Sequence, residues 1–211
     1  MFAALTGAGL SAAAGLNAYI PYLVVALLAR FTDVITLPSG FSWVESTPSI
    51  VIASILLVGE IIVDKIPALD SVNDALGTIV RPASGAVVFA GTAAAANLDN
   101  SPWMTQHPWV GLIGGAIVAG IFHTGKAAAR PVANVGTGGF AAPVLSTAED
   151  ATSILLSLAA VFAPILALVL LAAVAYCWCL WAGRGRRGVA TWRPVSFLAG
   201  LACVGAGLVG P

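Results

Sequence analysis

Two groups of ionisable residues stand inside sequence that is otherwise apolar. Glu60 and Asp64 close one long apolar segment, and His123, Lys126 and Arg130 close another. Glu60 and Asp64 are four positions apart, so on a helix they share a face. Two neighbouring carboxylates in a low-dielectric site do not both ionise cheaply, which makes one of them a proton carrier. The alternative is a structural ion pair with Lys65, just before Pro67 ends or kinks the helix. His123, Lys126 and Arg130 fall on one helical stripe if the helix runs on through Ala127–Ala129, although Pro131 favours a stop there. Asn134 and then Gly136-Thr137-Gly138-Gly139 form a loop able to bring backbone N–H groups to an anion. No Lys-Ser/Thr follows those glycines, so the loop is not a nucleotide-binding Walker motif. A basic stripe beside such a loop suits a phosphate, a carboxylate or a lipid headgroup. The bland reading pairs Lys126 and Arg130 with Glu60, Asp64, Glu149 or Asp150 instead.

The elements that must position these groups are membrane helices. Hydrophobic residues are 59% of the 211 and charged residues only 9%, against about 25% charged in ordinary soluble domains. With 23 glycines and a mean hydropathy of +0.98, the chain reads as an all-α polytopic membrane protein packed through small residues. A charge at the bilayer centre costs about 2.5–3.5 kcal/mol on insertion scales, so embedded charges face a cavity, a partner or a path. The zero formal net charge removes any general argument for nucleic-acid binding. The N-terminal segment lacks a basic n-region and stays apolar too long for a signal peptide, so it reads as a retained first span.

Breaks at charges, prolines and glycine-rich runs predict about six transmembrane helices, 3–30, 48–66, 82–98, 109–126, 151–182 and 194–210, in a single domain over 1–211. The third and sixth are short and read as tilted or re-entrant. In the first span, Asn17, Tyr19 and Pro21 interrupt the helix and expose backbone to a bound ion or solute. Leu69, Val72, Leu76 and Ile79 predict a short amphipathic helix at the membrane interface, with Asp70 and Asp74 on its polar face. Ser146-x-x-Glu149 reads as a capping box, and Trp43, Trp103, Trp109, Trp181 and Trp192 as interface anchors. The basic loop Arg184–Arg193 is placed in the cytoplasm by the positive-inside rule. The cytoplasmic (inner) membrane is the expected location.

The halves show self-similarity. Ser54-Ile-Leu-Leu57 recurs as Ser153-Ile-Leu-Leu156, Arg81-Pro82-Ala-Ser84 as Arg193-Pro194-Val-Ser196, and the first and fourth spans are both Gly/Ala-rich. This predicts two inverted three-helix repeats, 1–98 and 109–211, an architecture that holds substrate near the midplane in many transporters. The Gly-rich first and fourth spans also permit a homodimer. Cys177, Cys179 and Cys203 lack metal-ligand spacing and read as packing residues, so no metal or cofactor is expected.

Asn17, Glu60-x-x-x-Asp64-Lys65-x-Pro67-x-x-Asp70-Ser71, Arg81-Pro82, His123-x-x-Lys126-x-x-x-Arg130-Pro131 and Asn134-x-x-Thr137-Gly138-Gly139 form a spaced set of polar motifs. In these the chain resembles a family of small prokaryotic integral membrane proteins known as a domain of unknown function (number 4126). That resemblance covers nearly the whole chain and implies that the polar sites belong together, without naming a reaction.

The functional expectation is a small membrane transporter for an anionic solute or a phosphate-bearing lipid. Glu60 and Asp64 couple protons, and Asn17, Lys65, Arg81, His123, Lys126, Arg130, Asn134, Thr137, Gly138 and Gly139 bind substrate. Two alternatives stay open. One is a membrane-embedded enzyme on a lipid phosphate, with His123 as base or nucleophile and Asp64 as its orienter. The other is a structural or accessory subunit whose charges only lock its helices.

Overall fold

The computed structural model describes residues 2–93, 95, 102–137, 141–166, 169, 172 and 173. Among these there are seven α-helices, one 3-10 helix and no strand. The helices are α1 (Phe2–Leu16), α2 (Tyr19–Phe31), α3 (Thr47–Val63), α4 (Pro67–Ala93), α5 (Pro102–Gln106), α6 (Pro108–Thr137) and α7 (Ala141–Phe162). The 3-10 helix Ser39–Glu45 precedes α3 and meets it at 54°.

Helix α1 is the centre. Its sequence, FAALTGAGLSAAAGL, is apolar and small on every side, and it packs against α4, α6 and α7. Leu10, Ser11, Ala12, Ala13 and Ala14 are all fully buried, as a helix without a polar face must be. Glycines set how closely the others approach. A Cβ on Gly15 would stand 2.5 Å from the Ala119 carbonyl of α6, and one on Gly85 of α4 would stand 2.8 Å from the Gly115 carbonyl of α6. Backbone therefore touches backbone at both crossings, the packing mode of small-residue membrane interfaces. Ser11 Oγ donates to the Gly85 carbonyl (2.8 Å) and Ser153 Oγ to the Ala13 carbonyl (3.0 Å), tying α4 and α7 to the central helix.

The surface is the inverse of a soluble domain's. Val51, Ile52, Ile55, Val58 and Ile62 of α3 are exposed, as are Leu69, Val72, Leu76 and Ile79 of α4 and Ile113, Ile117 and Ile121 of α6. Glu60, Asp64, Arg81, His123, Lys126 and Arg130 are buried. Apolar faces outward and ions inward is the arrangement a hydrocarbon solvent imposes. Pro108–Arg130 and Ala142–Phe162 are long and apolar enough to cross a membrane, and the bent pair Ser39–Glu45 with Thr47–Val63 adds a third such segment. Trp43, Trp103 and Trp109 are exposed.

Several boundaries differ from the sequence reading, each for a physical reason. The first span is two helices broken at Asn17-Ala18. The amphipathic stretch and the third span are one 27-residue helix, α4, with Pro82 inside it. Pro131 does not stop α6, which continues to Thr137. A proline interrupts one i→i−4 hydrogen bond, and neighbouring packed helices hold the rest. Gly136 and Thr137 are therefore helical rather than loop. Ser146 and Glu149 lie inside α7, which begins at Ala141, so they form no capping box. The second half of the fifth span, the sixth span, Arg184–Arg193, Trp181, Trp192 and the three cysteines lie outside the described residues.

Candidate functional site

The site starts at the break between α1 and α2. Pro21 has no N–H for the Asn17 carbonyl, and Asn17 Oδ1 accepts from the N–H groups of Tyr19 (3.0 Å) and Ile20 (3.2 Å). The Asn17 side chain thus caps α2 as an Asx turn does. Ile20 would otherwise donate to the Leu16 carbonyl four residues back. That carbonyl accepts instead from Lys126 Nζ of α6 at 2.8 Å. Asn17 Nδ2 donates to Asp150 Oδ1 (2.9 Å) of α7, and Lys65 Nζ stands 3.9 Å from Asp150 Oδ2. Asn17→Ala is expected to destabilise by about 1–2 kcal/mol through loss of the cap and of the Asp150 bond. Thermal melting of the purified chain checks this, and an unchanged midpoint would remove the capping role.

Around that break the charged residues close into one network. Arg81 Nη2 of α4 donates to Glu60 Oε1 (2.9 Å) of α3, and Arg81 Nη1 stands 3.3 Å from Asp74 Oδ1, about two turns earlier on α4. Asp64, just past the end of α3, presents Oδ2 to three cations: Arg130 (3.2 Å), Lys126 (3.4 Å) and Arg81 (3.9 Å). Asp64 Oδ1 accepts from Asn73 Nδ2. Glu149 of α7 takes Lys126 Nζ at 3.0 Å and grips Arg130 with both oxygens, through Nη2 and Nε. Arg130 Nη1 lies 3.8 Å from Asp74. The Arg81 side chain has no exposure to solvent, and those of Lys126 and Asp64 have 2% each.

His123 has its tautomer set by these partners. Arg81 Nη1 contacts its Nδ1 at 2.9 Å, and a guanidinium only donates, so Nδ1 is the acceptor. Nε2 then carries the hydrogen and donates to Thr78 Oγ1 (3.2 Å), which donates to the Asp74 carbonyl (3.1 Å). The imidazole is neutral and both its nitrogens are used. Gly77 leaves the room: a Cβ there would lie 3.2 Å from both the Arg81 guanidinium and His123 Cε1.

Among the described residues, three cations (Arg81, Lys126, Arg130) face four carboxylates (Glu60, Asp64, Asp74, Glu149) around the neutral His123. Glu60 Oε2 is buried and accepts no hydrogen bond.

The structure brings together Asn17 from the α1–α2 break, Glu60 and Asp64 from α3 and its end, Arg81 from α4, and His123, Lys126 and Arg130 from α6. Lys65 is more exposed, at 38% of its side chain, and pairs with Asp150 rather than with Glu60 or Asp64. Thr137 is exposed at the end of α6. Gly138, Gly139 and the Asn134 side chain lie outside the described residues. Sequence reasoning did not assign Asn73, Asp74 or Thr78 to the site, and named Glu149 only as an ion partner of Lys126 and Arg130, where the structure places it. Asp74, Thr78 and Arg81 recur at helical spacing, which would have placed them on one face had α4 been read through Pro82. No group of three or more His, Cys, Asp or Glu side chains among the described residues is arranged to hold a metal ion.

No curated protein and no solved structure matches the chain. A family model does, over residues 4–184, a stretch that contains every member of the charge network. The chain therefore belongs to the family described as Domain of unknown function (DUF4126).

Proposed function

We propose that the protein is a small integral membrane transporter that moves an anionic solute or phosphate-bearing lipid together with a proton. The observation that carries this reading is Asp64 Oδ2, held within 4 Å of three buried cations on α4 and α6. A carboxylate or phosphate oxygen of a solute would make the same contacts. Asp64 belongs to the short link between α3 and α4 rather than to a helix interior, so it can withdraw. Protonating Asp64 weakens its hold on Arg81, Lys126 and Arg130, and an anion takes its place. Proton and anion then enter as a pair, and the buried charge is unchanged. Glu60, with a buried oxygen that accepts no hydrogen bond, offers a second protonation point.

In this reading the chain crosses the membrane six times, with the broken pair α1–α2, α3, α4, α6, the span 151–182, and 194–210. The halves 1–98 and 109–211 form inverted repeats. The close approach of α1 to α6, the first helices of the two halves, supports the pairing. The cytoplasmic membrane is its proposed location, with Arg184–Arg193 inside.

The membrane-enzyme alternative has less support. Its base, His123, gives its Nδ1 lone pair to Arg81, and no His123–Asp64 bond orients it. The structural-subunit alternative is favoured by the closure of the ion network, and it predicts that neutral isosteres at Asp64 change stability alone.

Reconstitution of the full chain into proteoliposomes tests the proposal. Uptake of labelled phosphate, uptake of small carboxylates and transbilayer movement of a fluorescent phospholipid are each measured with and without an imposed pH gradient. At least one is expected to be accelerated by the gradient, and Glu60→Gln and Asp64→Asn are expected to lose that acceleration. Gradient-independent behaviour of the wild type, or full acceleration in Glu60→Gln, would sink the proton-coupling role.

A further inference from the structure

The helix break in α1–α2 has a cation in it already. Three oxygens converge there: the Leu16 carbonyl, freed because Ile20 N–H turns to Asn17, Glu149 Oε2 from α7, and Asp64 Oδ2 from the α3–α4 link. They surround Lys126 Nζ at 2.8, 3.0 and 3.4 Å. An ammonium has three N–H donors and no acceptor; here it donates to the Leu16 carbonyl and to Asp64 Oδ2 and forms an ion pair with Glu149. An unwound carbonyl with two carboxylates is also an all-oxygen donor set of the kind that holds a hard monovalent cation at a broken membrane helix. The Lys126 ammonium sits where such an ion would sit, on a stem anchored in α6.

We propose that Lys126 is a tethered replacement for a bound alkali-metal ion. The wild-type protein then has no sodium or potassium site at the break, and removing the ammonium creates one. The tether fixes the charge at the break in every state of the protein, so the variable positive charge is left to the proton. This rests on the proposed transport reading only for its consequence for coupling. The site itself is read by binding rather than by flux, so either can fail without the other.

The test is thermal melting of the purified full chain in detergent at constant ionic strength, titrating NaCl or KCl against choline chloride. The wild type is expected to show the same midpoint in all three salts. Lys126→Met removes the ammonium while keeping an apolar stem, and it is expected to melt lower in choline. Sodium or potassium should restore it saturably, with a rise of about 5 °C or more near 100-fold excess over the dissociation constant. Recovery of Lys126→Met only from buffers containing one of these ions supports the proposal equally. Where the single variant yields no folded protein in any salt, Lys126→Met/Glu149→Gln restores the charge balance and keeps two of the three oxygens. A saturable alkali-ion response in that double variant supports the proposal. Saturable stabilisation of the wild type by sodium or potassium overturns it, as does a folded Lys126 variant indifferent to both ions.

Discussion

Replacing Arg81 by Met is expected to be among the most damaging single changes to this protein, with a loss of about 3–5 kcal/mol of stability. Arg81 is fully buried and is the meeting point of Glu60, Asp74 and the neutral His123, with Asp64 at 3.9 Å. Its removal leaves Glu60 without an ion partner among the described residues and takes one cation from the four buried carboxylates. The cost comes mainly from those stranded charges, because each carboxylate has already lost its water. Arg81→Lys is expected to recover only part of the loss. One ammonium lacks the planar fork that reaches Glu60, Asp74 and His123 together. Arg81→Met/Glu60→Gln, which removes a charge of each sign, is expected to be more stable than Arg81→Met alone. Melting midpoints and folded yields of the four chains, measured in one detergent, check this. A single variant that loses less than about 1 kcal/mol, or a double variant no better than the single, would mean that the network is open to water or to a compensating ion.

The second large effect is expected at Gly115. A Cβ there would overlap the Gly85 carbonyl oxygen and lie 2.6 Å from the Phe89 Cβ, so even alanine must push α4 and α6 apart. Overpacking of this kind costs about 1–3 kcal/mol. The damage extends further, because Arg81 lies one turn from Gly85, and His123, Lys126 and Arg130 ride on α6. Separating the two helices lengthens Arg81–His123 and every α4–α6 ion contact. Gly114, the preceding residue, is the internal control: a Cβ there meets nothing within 4 Å. Gly114→Ala is expected to be neutral or to stabilise by up to about 1 kcal/mol, since alanine restricts the unfolded chain and favours the helix. Paired melts of Gly114→Ala and Gly115→Ala decide the matter. Equal midpoints would show that the helices accommodate a methyl at the crossing.

Much of the local structure was legible from the residues. The uninterrupted apolar run before Glu60 reads as a span over 48–66 and is α3 over Thr47–Val63. Asn17 and Pro21 mark the break in the first span because one supplies a capping oxygen and the other lacks a donor. His123, Lys126 and Arg130 share a face because α6 runs through Ala127–Ala129. The misplaced boundaries of α4 and α6 have a common origin. Pro82 and Pro131 read locally as stop signals, yet both lie inside long helices. Local preference is overridden where neighbouring helices hold the rest of the backbone in place. That misreading detached Asp74 and Thr78 from Arg81 and left them on a separate interfacial helix.

The sequence by itself determined that the helices are apolar, that the few charges must lie among them, and where the first helix breaks. Each of these follows from residue type and short-range spacing. Tertiary structure alone decided the pairing: Arg81 with Glu60 and Asp74, Lys126 with Leu16, Asp64 and Glu149, and His123 as a neutral acceptor. Partners up to 110 residues apart meet only through the rotation and depth of packed helices. Those are set where glycines let backbones touch, at Gly15, Gly85 and Gly115. The balance of charge, and with it the choice between a stripe open to an anion and a closed network with Asp64 in the anion's place, is therefore a property of the assembled bundle.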